Sequence, residues 1–121
     1  MHKKDIEAWG RLWNENAVIL VLYPPKGFPT EIKGLSNQIL PGFKQLFAKF
    51  ETYDYSIKEI YPTTNPEVII VEWEVTATIK NKEITYNGQN ITVFKFGNDK
   101  ISEYHDYFNP ILFQLVVDNL Q

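Results

Sequence analysis

The chain has no cysteine and only two histidines among 121 residues. Disulfides, thiolate nucleophiles and cysteine-ligated metals are therefore excluded. Positive charge is also scarce. Twelve Lys and Arg face fifteen Asp and Glu, for a net charge of −3, and no basic stripe or tail stands out. No nucleic-acid partner is expected from such a pattern. No apolar run approaches the roughly 18 residues needed to span a bilayer, so no membrane partner is expected either. "MHKK" supplies N-terminal charge, but the "DIEAWGRLW" that follows is amphipathic where a signal peptide would be apolar. The expected compartment is cytoplasmic. Glycine-rich phosphate loops, nucleophile elbows and metal-ligand spacings are lacking too, so no cofactor and no metal are expected. His2, near the N-terminus, gives no metal site with His105.

Hydrophobic residues make up 44% of the chain and aromatics 15%, which is the composition of a globular core. The length suits one domain spanning residues 1–121. In "DIEAWGRLWNEN", Ile6, Trp9, Leu12 and Trp13 fall on one helical face. "AVILVLY" reads as a buried strand. "PPKGFPTEIKG" crowds prolines and glycines into a loop whose Phe28 and Ile32 can fold back over the core. "LSNQILPGFKQLFAKF" has helical spacing at Phe43, Leu46, Phe47 and Phe50, with Pro41 marking a first turn or a kink.

From Tyr53 onward the pattern turns to strands. "TYDYSIKEIY", "EVIIVEWEVTATI", "ITYNGQNITVFKF" and "ISEYHDYF" read as four antiparallel strands, with "GNDK" as a hairpin turn. Asn87-Gly88 fits either a turn or a bulge, and a bulge within one long strand is preferred. Asn109 suits an N-cap and Pro110 a first helical position, opening a closing helix over "ILFQLVVDNL". The predicted class is α+β: a cone-shaped, curved antiparallel sheet with helices on its concave face and a cavity at its mouth.

Alternation sorts side chains to faces. Ile69, Val71, Trp73, Val75 and Ala77 form an apolar row, predicted to face the helices. Glu72 and Glu74 lie on the other face as cross-strand partners for lysines. The last strand is ambiguous, because Tyr104, Asp106 and Phe108 share one face while Glu103, His105 and Tyr107 share the other. Neither row is plainly apolar.

Three stretches, "IEAWGRLWNENAVILVLYPPKGFPTEIKG", "VEWEV" and "ITVFKFGNDKISEYHDYFNP", resemble the SnoaL-like branch of the nuclear transport factor 2 and ketosteroid isomerase superfamily. The resemblance implies the cone fold, usually as a homodimer, and a pocket for a small organic ligand. It also implies that Tyr104, Asp106 and Phe108 line the cavity while His105 faces out. Members usually open with a long helix before the stretch matching "KKDIEAWGRLW", so the resemblance implies a cone lacking that first helix. The general-base aspartate of steroid isomerases falls at Tyr23 and their oxyanion-hole aspartate at Thr92. The strand arginine and aspartate of limonene epoxide hydrolases fall at Trp73 and Val75. Neither of those chemistries is therefore expected. A catalytic glutamate of phenazine-biosynthesis relatives falls at Asp106.

The reading that results is a pocket protein, a cofactor-free isomerase, cyclase or dehydratase with Asp106 as general acid or base. Tyr23, Trp73, Asn90, Thr92, Tyr104 and Phe108 are its ligand-binding candidates. The alternative is a non-catalytic ligand-binding or dimerisation module of the same fold. The outer sheet face, with Tyr86, Ile91, Val93 and Tyr107, is the expected dimer surface.

Overall fold

The computed structural model describes residues 5–119. His2 and the rest of "MHKK", and Leu120 at the end of the expected closing-helix stretch, lie outside those residues.

A short helix, α1 (Ile6–Gly10), leads into strand β1 (Trp13–Val21). The helical face expected for "DIEAWGRLWNEN" is thus corrected at its end. Trp13 opens the strand, 2% exposed, and Leu12 is 57% exposed. Trp9 still packs edge-on against Trp13, so both indoles serve one apolar cluster from different elements.

The proline-rich stretch is an ordered excursion that contains strand β2 (Glu31–Lys33), where its prolines and glycines predict only a loop. Antiparallel pairing of Ile32 with Ile19 fixes it to β1. Its return is anchored by Glu15, whose carboxylate accepts both the backbone N–H and the hydroxyl of Ser36. A π-helical turn (Leu35–Ile39) continues into α2 (Leu40–Ala48), with Pro41 in its first turn. The helix stops short of Phe50. That residue opens strand β3 (Phe50–Pro62), where pairing with Ile79 buries its ring.

Strands β4 (Val68–Ile79), β5 (Thr85–Gly97) and β6 (Lys100–Tyr107) follow, then α3 (Pro110–Asp118). The sheet has six strands in the order β2-β1-β6-β5-β4-β3. All neighbours are antiparallel except β1 and β6, which run parallel. Asn98 and Asp99, both at positive φ, form a two-residue hairpin between β5 and β6.

Asn87-Gly88 is neither turn nor bulge. Asn87 pairs with Thr76 and Gly88 with Val75 in unbroken register. The one-strand expectation holds and the bulge does not. A bulge does occur in β3, where Lys58 is the extra residue between the Ile57–Trp73 and Glu59–Glu72 pairs. It changes the parity of the strand, so that Ile57 and Ile60 turn to the same side.

Two apolar clusters cover the concave face. One gathers Phe47, Phe50, Val75, Ala77 and Tyr86 with Val116 of α3. The other gathers Trp13, Ala17, Ile19, Val21 and Ile39 with Ile101. The β4 row faces inward as expected. On the outer face Glu74 meets Lys58 at 3.8 Å, while Glu72 accepts from the Tyr61 hydroxyl.

α3 is held at its start by Asn109, whose side chain accepts from the N–H groups of Ile111 and Leu112. Asn109→Ala should cost about 1 kcal/mol by urea unfolding, as an N-cap loss does. An unchanged midpoint would show that packing of Phe113 and Val116 alone fixes α3.

Candidate active site

The two clusters leave a cavity of about 770 Å³ between the sheet and α2. That is the size range of small-ligand sites. Its wall is largely apolar, with Ile39, Phe43, Val71, Trp73 and Phe94 among its residues. Phe28 folds back from the excursion to pack on Phe108 and Phe113, and Ile32 also reaches the cavity. Leu12, Tyr55, Ile57 and Ile60, each more than 40% exposed, border an open mouth. Among the described residues, only the five-residue α1 precedes β1, and no long helix covers these side chains.

Asp106 lies in this wall. It occupies the middle of the sheet, opposite Thr92 on β5 and beside Val21 on β1. The Trp73 indole N–H donates to the Thr92 hydroxyl oxygen at 2.9 Å. Thr92 in turn donates to Asp106 Oδ1 at 3.4 Å. Three adjacent strands thus contribute one residue each to a single chain of hydrogen bonds.

Asp106 is open to the cavity on one side but enclosed by protein. That enclosure governs its ionisation. Desolvation pushes the carboxyl up to about 7 from 3.8, against the hydrogen bond from Thr92, which favours the charged form. Three phenols around it respond to burial first and to its charge second. Tyr86 is pushed up to about 12, and Tyr53 and Tyr104 stand well above the ordinary tyrosine value. All three line the cavity and stay protonated across the physiological range. They are donors, not bases.

The predicted site residues separate into three groups. Trp73, Asn90, Tyr104 and Phe108 line the cavity with Asp106. Thr92 is fully buried behind that wall, bonded to Trp73 and Asp106, both of which line it. Tyr23 is a correction. It is 67% exposed beyond the end of β1, and its ring lies against Tyr107 on the outer face. The chain leaves the sheet after Val21, so strand alternation no longer governs where Tyr23 points. Tyr86 is a second correction. It was assigned to the outer face but is 5% exposed and lines the cavity. It shares parity with Asn90 and Thr92 along β5, a signal the sequence already held. His105 points away from the cavity and meets Glu103 at 2.9 Å. Among the described residues no cluster of three or more His, Cys, Asp or Glu could hold a metal ion. No helix among them is long and apolar enough to cross a membrane.

Relatives of known sequence and structure share this fold. The uncharacterized protein YesE of Bacillus subtilis is 27% identical over 112 residues, covering 93% of this chain and 76% of YesE. The crystal structure of a proposed isomerase from Bacillus subtilis superposes with a TM-score of 0.83 at 26% identity, covering 100% of this chain and 88% of that one. The Mycobacterium tuberculosis protein RV0760c, in complex with estradiol-17beta-hemisuccinate, superposes at 0.78 with 18% identity, covering 90% and 85%. At that identity the likeness speaks for the fold alone, which is of the nuclear transport factor 2-like, ketosteroid isomerase-like kind. The SnoaL-like domain family matches residues 1–104, ending two residues before Asp106. With most of its length inside that match, the chain belongs to the SnoaL-like domain family.

Proposed function

We propose that this protein is a cofactor-free acid–base catalyst for a small organic molecule held in the cavity, with Asp106 taking and returning the proton. The observation that carries the reading is the Asp106 carboxyl enclosed in a largely apolar pocket, where desolvation pushes it up to about 7. A group poised there can act as either acid or base at pH 7. The reaction class is proton transfer next to a carbonyl: isomerisation, aldol-type cyclisation or dehydration. Trp73, Tyr104 and Phe108 supply apolar walls for a flat ligand, Asn90 a polar contact, and Thr92 orients the carboxyl. A protein of this fold holds estradiol-17beta-hemisuccinate, and another is described as a proposed isomerase, which supports both ligand size and reaction class. A cysteine-free chain suits a reducing compartment, so the proposed location is cytoplasmic.

Proton exchange at carbon tests the chemistry without knowledge of the substrate. Cyclohexanone and 2-indanone in D₂O, followed by NMR, should lose α-protons faster with the protein than in buffer. Asp106→Asn should lower that rate roughly 10²–10⁴-fold. Exchange no faster than buffer, or an unaffected variant, would count against the assignment.

Stability offers an independent check on the same carboxyl. The folded state keeps the Asp106 proton up to about pH 7, whereas the unfolded chain releases it near 3.8. The folded state therefore holds the extra proton between those values, and stability falls as pH rises through them, levelling off above. Asp106→Asn cannot titrate. Its melting temperature should gain on the wild type between pH 4 and 7, and a constant difference across that range would show an unperturbed carboxyl.

We also propose a homodimer through the outer sheet face, where Ile91 is 43% exposed and lies near Val93 and Tyr107. Light scattering at micromolar concentration should give twice the 14.2 kDa of one chain. A mass of one chain would rule the dimer out.

A further inference from the structure

Tyr86, Gly88, Asn90 and Thr92 alternate along the concave side of β5. At Gly88 a Cβ would lie 2.5 Å from the Tyr86 hydroxyl oxygen and 2.7 Å from its Cζ. The glycine is there because the phenol lies down over it. Phe113 of α3 packs edge-on against the ring at 5.3 Å and holds it in place. The hydroxyl is thereby carried two residues along the strand, toward Asn90, and it stands within the electrostatic reach of Asp106.

The hydroxyl oxygen of Tyr86 and Oδ1 of Asn90 are both buried without a hydrogen-bond partner. Both residues are more than nine-tenths buried, and both line the cavity. Buried polar groups rarely go unpaired, because an unmade bond is costly. Two such groups, from neighbouring inward positions of β5 in the wall of a largely apolar cavity, describe the chemistry of what they await. Tyr86 offers a proton and Asn90 Oδ1 accepts one. A ligand hydroxyl satisfies both, accepting from the phenol and donating to the amide oxygen. A carbonyl would leave Asn90 Oδ1 unmet, and an ammonium would leave the Tyr86 proton unmet.

We propose that Tyr86, laid over Gly88, and Asn90 form a receiving site for one neutral hydroxyl of the ligand, an enol or a phenol, next to Asp106. This rests on the small-molecule reading above and specifies its substrate class: a ring system carrying a hydroxyl at the place where the proton moves.

The probes are 2-naphthol and naphthalene, which share a ring system and differ by the hydroxyl. Both are titrated into the full chain and followed by tryptophan fluorescence. The wild type should prefer 2-naphthol by roughly tenfold, the range for pairing buried polar groups. Tyr86→Phe keeps the ring against Phe113 and removes the hydroxyl. It should cut the preference to about twofold or less and leave naphthalene affinity in place. Because that hydroxyl has no partner in the free protein, the melting temperature should not fall. Gly88→Ala, which displaces the phenol, should also erode the preference. Equal binding of both probes to the wild type would overturn the hydroxyl site while leaving the cavity reading intact. A preference that survives Tyr86→Phe, or a drop in that variant's melting temperature, would overturn it as well. Failure of both probes to bind would overturn it together with the small-molecule reading.

Discussion

The parallel pairing of β1 with β6 is the constraint on which the rest of the structure depends. Parallel neighbours cannot be joined by a tight turn, so the connection must be long. Here it holds the proline-rich excursion, α2 and three further strands. The pairing puts β6 inside the sheet, flanked by β1 and β5, although it is the last strand in the chain. Asp106 is central for that reason alone, with Val21 on one side and Thr92 on the other. An edge position would leave the carboxyl in water and its ionisation ordinary. Folding of the site therefore waits on contacts between the two ends of the chain.

Burial then decides what each carboxyl can do. Glu15 and Asp106 both accept hydrogen bonds from hydroxyl groups. Glu15 is at the surface, where the bonds from Ser36 draw its pKa down. Asp106 sits among aromatic side chains, and desolvation outweighs its one bond from Thr92. The same functional group is favoured as an anion in one place and as a neutral acid in the other. The phenols of Tyr53, Tyr86 and Tyr104 follow the same rule in the opposite chemical sense, because burial keeps them neutral and hydrogen-bonding.

Much of this was legible in the sequence where alternation runs unbroken and one row is apolar. The β4 row from Ile69 to Ala77 is such a case, and so is the cap at Asn109-Pro110. On β6 the two rows are nearly equal in polarity, and only the resemblance to a known family chose Asp106 over His105. Other features were hidden for identifiable reasons. Trp13 fits a helical face as well as a strand, and register with Ile101 settles it. The bulge at Lys58 leaves no mark in composition, yet it changes which side chains of β3 reach the cavity mouth. Asn87-Gly88 looks like a turn because glycine usually signals backbone freedom. Here it signals the room that a tyrosine ring takes up.

The hydrogen bonds behind Asp106 have a direction. Thr92 receives the indole N–H of Trp73 on its oxygen and donates its hydroxyl proton to Oδ1 of Asp106. Oδ1 is thus occupied as an acceptor whether the carboxyl is charged or neutral. A proton taken up on Oδ2 leaves the bond from Thr92 to Oδ1 intact. A tryptophan on one strand and a threonine on the next therefore give the acid a handedness. One oxygen is tethered to the sheet through Thr92, and the other is left to face the cavity that Asp106 lines.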